Sequence, residues 1–282
     1  LNIIKRMKKI IGLLTIVAAS ISLADMVSIN YYLSNDDGQY GRLDGAQDGV
    51  ANDSPNTSSF GGTGYVAANW NNVLDVDGKT LYSESGITTT ISATDERPLL
   101  NARVNNTANT IYNNTAMRAF IKAGTGQNNT SQARITLNNM AANFSGSYDV
   151  VVYTGGSHQN NGMTVNLMDG DGSDWLRGSR GAHPLYSLQT RFTPGNYTAP
   201  VQSTSQTVLV DGGANSGVVG DYVVFTGVNL DQFTVVVDAT KTNYGGLGAV
   251  QVVGTVIPEP ATAGLLAGMG SLIYMARRKF SS

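Results

Sequence analysis

Cysteine is absent from this 282-residue chain, which excludes a disulfide framework, a thiolate metal site and a cysteine nucleophile. Histidine is nearly absent as well, present only at His158 and His183. Charge is scarce: Asp, Glu, Lys and Arg together make up 13% of the residues, about half the usual share. The polar surface must then come from Asn, Thr, Ser and Gly, which favour turns and solvated strands over charged helices. The hydrophobic share of 41% is enough for a core and argues against wholesale disorder.

The few basic residues are unevenly placed. Lys5, Arg6, Lys8 and Lys9 stand at one end, and Arg277, Arg278 and Lys279 at the other. Without these ends, 11 basic and 19 acidic side chains remain, so the middle of the chain carries about −8. Nucleic-acid binding needs a basic footprint, and that class of partner is set aside.

Long apolar runs are confined to the same two ends. Lys8-Lys9 precede an apolar stretch over 10–19, and Ser22-Leu23-Ala24 follows as a small-x-small site. A basic region, a short apolar core and small residues at −3 and −1 read as a secretion signal, too short to span a bilayer. The expectation is a signal helix over 1–24, export through the Sec machinery, and cleavage by signal peptidase after Ala24, with Ser22 and Ala24 read by that enzyme.

At the other end Pro258-Glu259-Pro260 leads into an apolar run over 261–276 and then Arg277-Arg278-Lys279. As a helix the run reaches about 24 Å at 1.5 Å per residue, close to a hydrocarbon core once flanking side chains snorkel. Pro260 suits the first helical turn, and the basic cluster would stay cytoplasmic. The expectation is a sorting tail over 257–282, whose apolar run forms a transmembrane helix. In order and position these three parts resemble the PEP-CTERM sorting signal of Gram-negative bacteria. The resemblance implies an exosortase that recognises Pro258, Glu259 and Pro260 and cleaves near them, with Arg277, Arg278 and Lys279 as the basic end. It also implies a precursor held transiently in the inner membrane, then delivery to the cell surface or to an extracellular matrix, often one rich in exopolysaccharide.

Between the ends, β signals dominate. Alternating or β-branched runs fall at 26–33, 86–94, 133–137, 148–153, 163–167, 206–210, 221–226, 232–238 and 248–253. Turn clusters separate them at 35–38, 75–78, 160–162 and 211–213. No long stretch has helical spacing; the best, 116–123, is short and equally readable as a strand. No repeat or linker divides the stretch. The expectation is an all-β, antiparallel β-sandwich over 25–256, flanked by the signal helix and the sorting helix. The stretches 64–72, 147–153 and 221–228, with 246–253, are similar to secreted bacterial jelly rolls of the galactose-binding-like type. That likeness implies a fold and not a ligand.

Chemistry is thin. No Gly-x-Ser-x-Gly elbow or His-Glu-x-x-His motif occurs, and both histidines stand in loop-like surroundings. Paired catalytic carboxylates have little to draw on, since Glu84 and Glu96 are the only glutamates between the two ends. The chain is expected not to be an enzyme, and to need no cofactor unless calcium binds. For calcium, Asp169, Asp171, Ser173 and Asp174 offer hard oxygen ligands. An EF-hand loop in that register would have Gly at 174 and an acid at 180, where this chain has Asp174 and Arg180. Asx-turns in a Gly-rich loop are the competing reading. For a glycan, Trp175 and Trp70 are the aromatic candidates for stacking on a sugar face. Trp70, close to a strand, reads more readily as core, and Trp175 reads equally as core or as ligand contact. Two functions stay open: a structural or adhesive component of an exopolysaccharide matrix, and a carbohydrate-binding-module-like protein. A polysaccharide-degrading enzyme comes third.

Overall fold

The computed structural model describes residues 24–31, 33–35, 38–40, 60–73, 76–96, 121–123, 132–156, 162–171, 186–189, 201–204, 218–239 and 245–257. Two compact units are distinguished: Ala24–Thr255, and the two ends Leu1–Leu23 with Val256–Ser282. The ends lie outside the described residues except for Val256 and Ile257. Among the described residues no helix is long and apolar enough to cross a membrane.

Among those residues the larger unit holds fourteen strands and one short helix. They are β1 (Ala24–Tyr31), β2 (Leu33–Asn35), β3 (Gly38–Tyr40), β4 (Asn71–Val73), β5 (Ser92–Glu96), β6 (Ile121–Ala123) and β7 (Gln132–Asn138). After α1 (Met140–Asn143) come β8 (Tyr148–Gly156), β9 (Gly162–Asp169), β10 (Tyr186–Gln189), β11 (Val218–Val219), β12 (Tyr222–Val228), β13 (Phe233–Ala239) and β14 (Gly245–Thr255). The first sheet runs β12-β8-β14-β1-β4, with β6 also paired to β14; the second runs β11-β10-β9-β13-β7-β5; β2 and β3 form a separate hairpin. Most pairs are antiparallel, as the sequence predicts, but β1 with β4 and β10 with β11 are parallel. The chain passes from sheet to sheet at every step from β4 to β9 and again at every step from β11 to β14.

Period-two patterning builds these sheets. In β7 Ala133, Ile135 and Leu137 are buried while the intervening residues are half exposed. In the first sheet Val27 stands opposite Val252, and Ile29 opposite Val250, all buried. In the second, Val235 stands opposite Ile135 and Leu167. Rings join the two sheets: Tyr148 of β8 meets Phe233 of β13 at 5.9 Å between centroids, and Phe225 of β12 meets Tyr186 of β10 at 5.2 Å. Each such side chain taken from water contributes about 1.5–3 kcal/mol.

Several predicted strands settle differently. The run at 86–94 yields β5 only from Ser92, because a tight turn at Gly86, with φ of 79°, occupies its start. Of 116–123, Ile121–Ala123 form a strand paired with β14, where either helix or strand was open. The run at 206–210 lies outside the described residues.

A second apolar layer covers the outer face of the first sheet. Phe60, Ala67 and Trp70 pack on Val151, Tyr153, Tyr222, Val224 and Ala249, with Met26 and Tyr65 at the margin. Tyr153 organises it, accepting a hydrogen bond from the Gly62 N–H at 2.9 Å and donating to Gln251 Oε1 at 2.6 Å. Gly62 is required here, since a β-carbon would strike the Tyr222 ring. Burial raises the pKa of Tyr148, Tyr153 and Tyr222 above the ordinary tyrosine value. Tyr65 is pushed up to about 12, by burial first and then by its hydrogen bond to the Asp149 carboxylate.

These shifts favour the neutral phenols in the folded state. Their stabilisation is whole below about pH 10, the unfolded value, and is lost as pH rises through the folded values, for Tyr65 between about 10 and about 12. In an alkaline titration followed by tyrosinate absorbance, a subset of the 13 tyrosines should ionise only together with loss of structure. Reversible ionisation of all of them near pH 10 with the fold intact would contradict this layer.

Candidate functional site

The strands that bound the larger unit lie side by side. Ala24 of β1 stands opposite Thr255 of β14, Asp25 opposite Gly254, and Met26 opposite Val253. Asp25 is buried; its carboxylate accepts from the Met26 N–H at 2.8 Å and from the Ser85 hydroxyl. On the other side Ser145 N–H donates to the Thr255 carbonyl at 2.7 Å. Gly254 has no room for a side chain, because a β-carbon would lie 2.9 Å from both Phe144 Cδ1 and Tyr148 Cβ. The predicted cleavage residue Ala24 thus opens β1. Ser22 and the sorting residues Pro258, Glu259, Pro260, Arg277, Arg278 and Lys279 lie outside the described residues.

Trp70 requires a correction. Taken from sequence as a sugar-stacking candidate, it is 1% exposed. Its ring lies 5.8 Å from Phe60 and 6.2 Å from Tyr153, and its indole N–H donates to Ala67 O at 3.2 Å. No ring face is left for a ligand. The neighbouring asparagines, which suggested a loop edge, instead tie the segment down: Asn71 Nδ2 donates to Ser28 O and Tyr82 O, while Asn71 Oδ1 accepts from Tyr82 N. Glu84 accepts the N–H groups of Ala68 and Asn69 at 2.8 and 2.9 Å. That role suits a structural clamp better than an acid of a catalytic pair.

Trp175, Ser173, Asp174, His158 and His183 lie outside the described residues. Asp169 and Asp171 are exposed and flank Gly170, whose φ of 70° makes the turn after β9. That turn is fastened to β13, with Gly170 N–H on Gln232 O and the Thr234 hydroxyl on Gly170 O at 2.8 Å. Among the described residues no group of three or more acidic, His or Cys side chains is placed to hold a metal ion.

The outer face of the second sheet holds a polar cluster that sequence reading missed. With Phe233, Val235 and Val237 of β13 facing the first sheet, Thr234, Val236 and Asp238 point the other way. Register places Val236 between Arg134 of β7 and Asn166 of β9, and Asp238 between Gln132 and Thr164. Arg134 donates to Gln132 Oε1 through Nε at 3.2 Å and Nη2 at 2.8 Å. Asn166 is 1% exposed, and neither atom of its amide has a hydrogen-bond partner among the described residues. Leaving such groups buried and unmet costs about 1–3 kcal/mol each. Burial also raises the pKa of Asp238, against the opposing effect of its hydrogen bond with Gln132. In sequence, the lone Asn in Met-Thr-Val-Asn-Leu-Met was the available sign: a polar residue in an apolar strand.

No curated protein and no solved structure shows significant similarity to the chain. One family model does match: the PEP-CTERM protein-sorting motif, over residues 256–279. The match begins directly after Thr255, where β14 ends. The chain therefore carries a PEP-CTERM protein-sorting motif immediately behind its last strand, as an exosortase-sorted exported protein does.

Proposed function

We propose that the protein is a structural or adhesive component of the cell surface or of an exopolysaccharide matrix, and that it is not an enzyme. The sorting motif carries this reading. The signal-like 1–24 segment adds to it, with signal peptidase and the Sec machinery at the start of the route and the inner membrane as a transient stop. The strand path between the two sheets supports a jelly-roll-like sandwich for the part that is delivered. A surface built from Asn, Thr, Ser and Gly suits a hydrated polysaccharide, to which it offers many neutral donors and acceptors.

A second reading, a carbohydrate-binding-module-like protein, is favoured by the outer face of the second sheet. Arg134, Thr164 and Asp238 stand half-exposed there, around the strand pairs that meet at Val236 and Asp238. A guanidinium donates to sugar hydroxyls, and a carboxylate accepts from them. Trp175 remains the aromatic proposed to stack on such a ligand.

A glycan array probed with the secreted protein separates the readings. Specific binding that is lost in Asp238→Asn or Trp175→Ala supports the module. Absence of binding across the array supports the structural role, and slow hydrolysis of a spotted polysaccharide would replace both with an enzyme. Asp238→Asn carries its own control. The raised pKa means that the charged form burdens the fold above the unfolded carboxylate value. The variant should therefore be at least as stable as the parent at neutral pH, so that a loss of binding is not a loss of fold.

A further inference from the structure

We propose that the end of the first sheet where β1 starts and β14 stops is a docking surface for the enzyme that cuts at the sorting motif. The inference rests on the exosortase reading above and adds to it where on the folded domain that enzyme must sit.

The argument is one of reach. β14 is held at its end even after cleavage behind Ala24: Gly254 is in register with Asp25 and pressed against Phe144 and Tyr148, and the Thr255 carbonyl takes the Ser145 N–H. Only Val256 and Ile257 separate that anchored residue from Pro258. From Thr255 to Glu259 is four residues, a span of at most about 14 Å when fully extended. A peptidase grips several residues on each side of the bond it cuts, so those four residues cannot carry the motif clear of the domain. Either the enzyme's surface comes up against this end of the sheet, or the last pairs of β14 must be peeled from both neighbours.

The loops beside Thr255 are open to such an approach. Ser145, Gly146 and Ser147 are exposed on the β8 side, and Ser85 and Gly86 on the β1 side, with the Ser85 hydroxyl on Asp25. Ser147 stands directly before β8 and is exposed.

The test follows conversion of precursor to mature protein in cells that contain the sorting enzyme, using the full chain. Ser147→Trp and Ser145→Arg, which put bulk where the enzyme must close on the sheet, should slow conversion about tenfold, the effect of a clash costing about 1.4 kcal/mol. A flexible Gly/Ser segment inserted between Ile257 and Pro258 should restore the parental rate in both variants, because the motif then reaches the enzyme away from the sheet. Parental rates in the two variants without the insertion overturn the docking surface. Slowed rates that the insertion fails to rescue also overturn it, since distance is then not the cause. Glu259→Ala, run alongside, keeps the two levels apart: if it is processed normally the sorting reading itself falls, whereas if it is blocked and the loop variants are not, only the docking surface does.

Discussion

Replacing Glu259 by Ala should abolish processing at the sorting motif and leave the precursor in the membrane fraction at its full mass. The physical case rests on the two flanking prolines. A residue before proline is confined to extended or polyproline-like backbone, and proline itself has φ near −65° and no N–H to donate. These preferences favour extended backbone at the triplet, whose only charged side chain is Glu259. Alanine keeps the backbone preference and removes the charge, so recognition is tested with conformation held fixed. Glu259→Gln, of the same shape, divides charge from size: processing restored by Gln points to hydrogen bonding, and continued failure to an ion pair with the enzyme. Intact-mass measurement of the membrane and released fractions reads the result directly. Normal release of the Ala variant would remove the exosortase from the route.

The second large effect belongs to Trp70. Trp70→Ala should destabilise the domain by about 3–5 kcal/mol, the usual cost of deleting a buried large aromatic. The whole net stability of a domain is about 5–15 kcal/mol, so a substantial fraction of the variant should be unfolded or lost during export. The loss is concentrated because Trp70 touches both Phe60 and Tyr153, and Tyr153 in turn holds Gly62 and Gln251. Trp70→Phe keeps much of the ring contact, loses the bond to Ala67 O, and should fall between the two. Urea denaturation of the secreted proteins is the measurement. A midpoint for Trp70→Ala within the scatter of exposed substitutions would return Trp70 to the surface and to the list of sugar contacts.

What could be read from the sequence follows from the range of the interaction that places each residue. The strands β7, β8, β9, β12, β13 and β14 were visible because alternation along 133–137 or a β-branched run such as 148–153 is a local pattern, and their burial follows it. Of the β2–β3 hairpin only the turn was visible: Asn35 and Gly38 pair where a turn cluster was expected, while β3 lay in no expected run. β4 was not visible. Asn71 and Asn72 are polar, yet both are buried, because their amides are met by Ser28 O, Tyr82 O and Trp70 O from outside or beside the strand. Only the fold supplies those partners. Trp70 was ambiguous for a related reason: its polar neighbours made it look wet, while the residues that cover it are distant in sequence. The cluster around Asn166 depends on the register of three strands, which no single stretch encodes. The sorting motif was fully legible, since an enzyme reads it as a linear segment.

The pairing of β1 with β14 also sets the order in which the domain can form. The first strand of the domain has its antiparallel partner in the last, and β14 is at once the centre of the first sheet, with β8 on its other side. Contacts that close so long a loop form late and slow the approach to the native state. A chain that emerges from its N-terminus therefore cannot complete the first sheet until its final strand has arrived. If the chain crosses the membrane unfolded, as the proposed route implies, the domain stays open while it is being moved and closes only once β14 has followed.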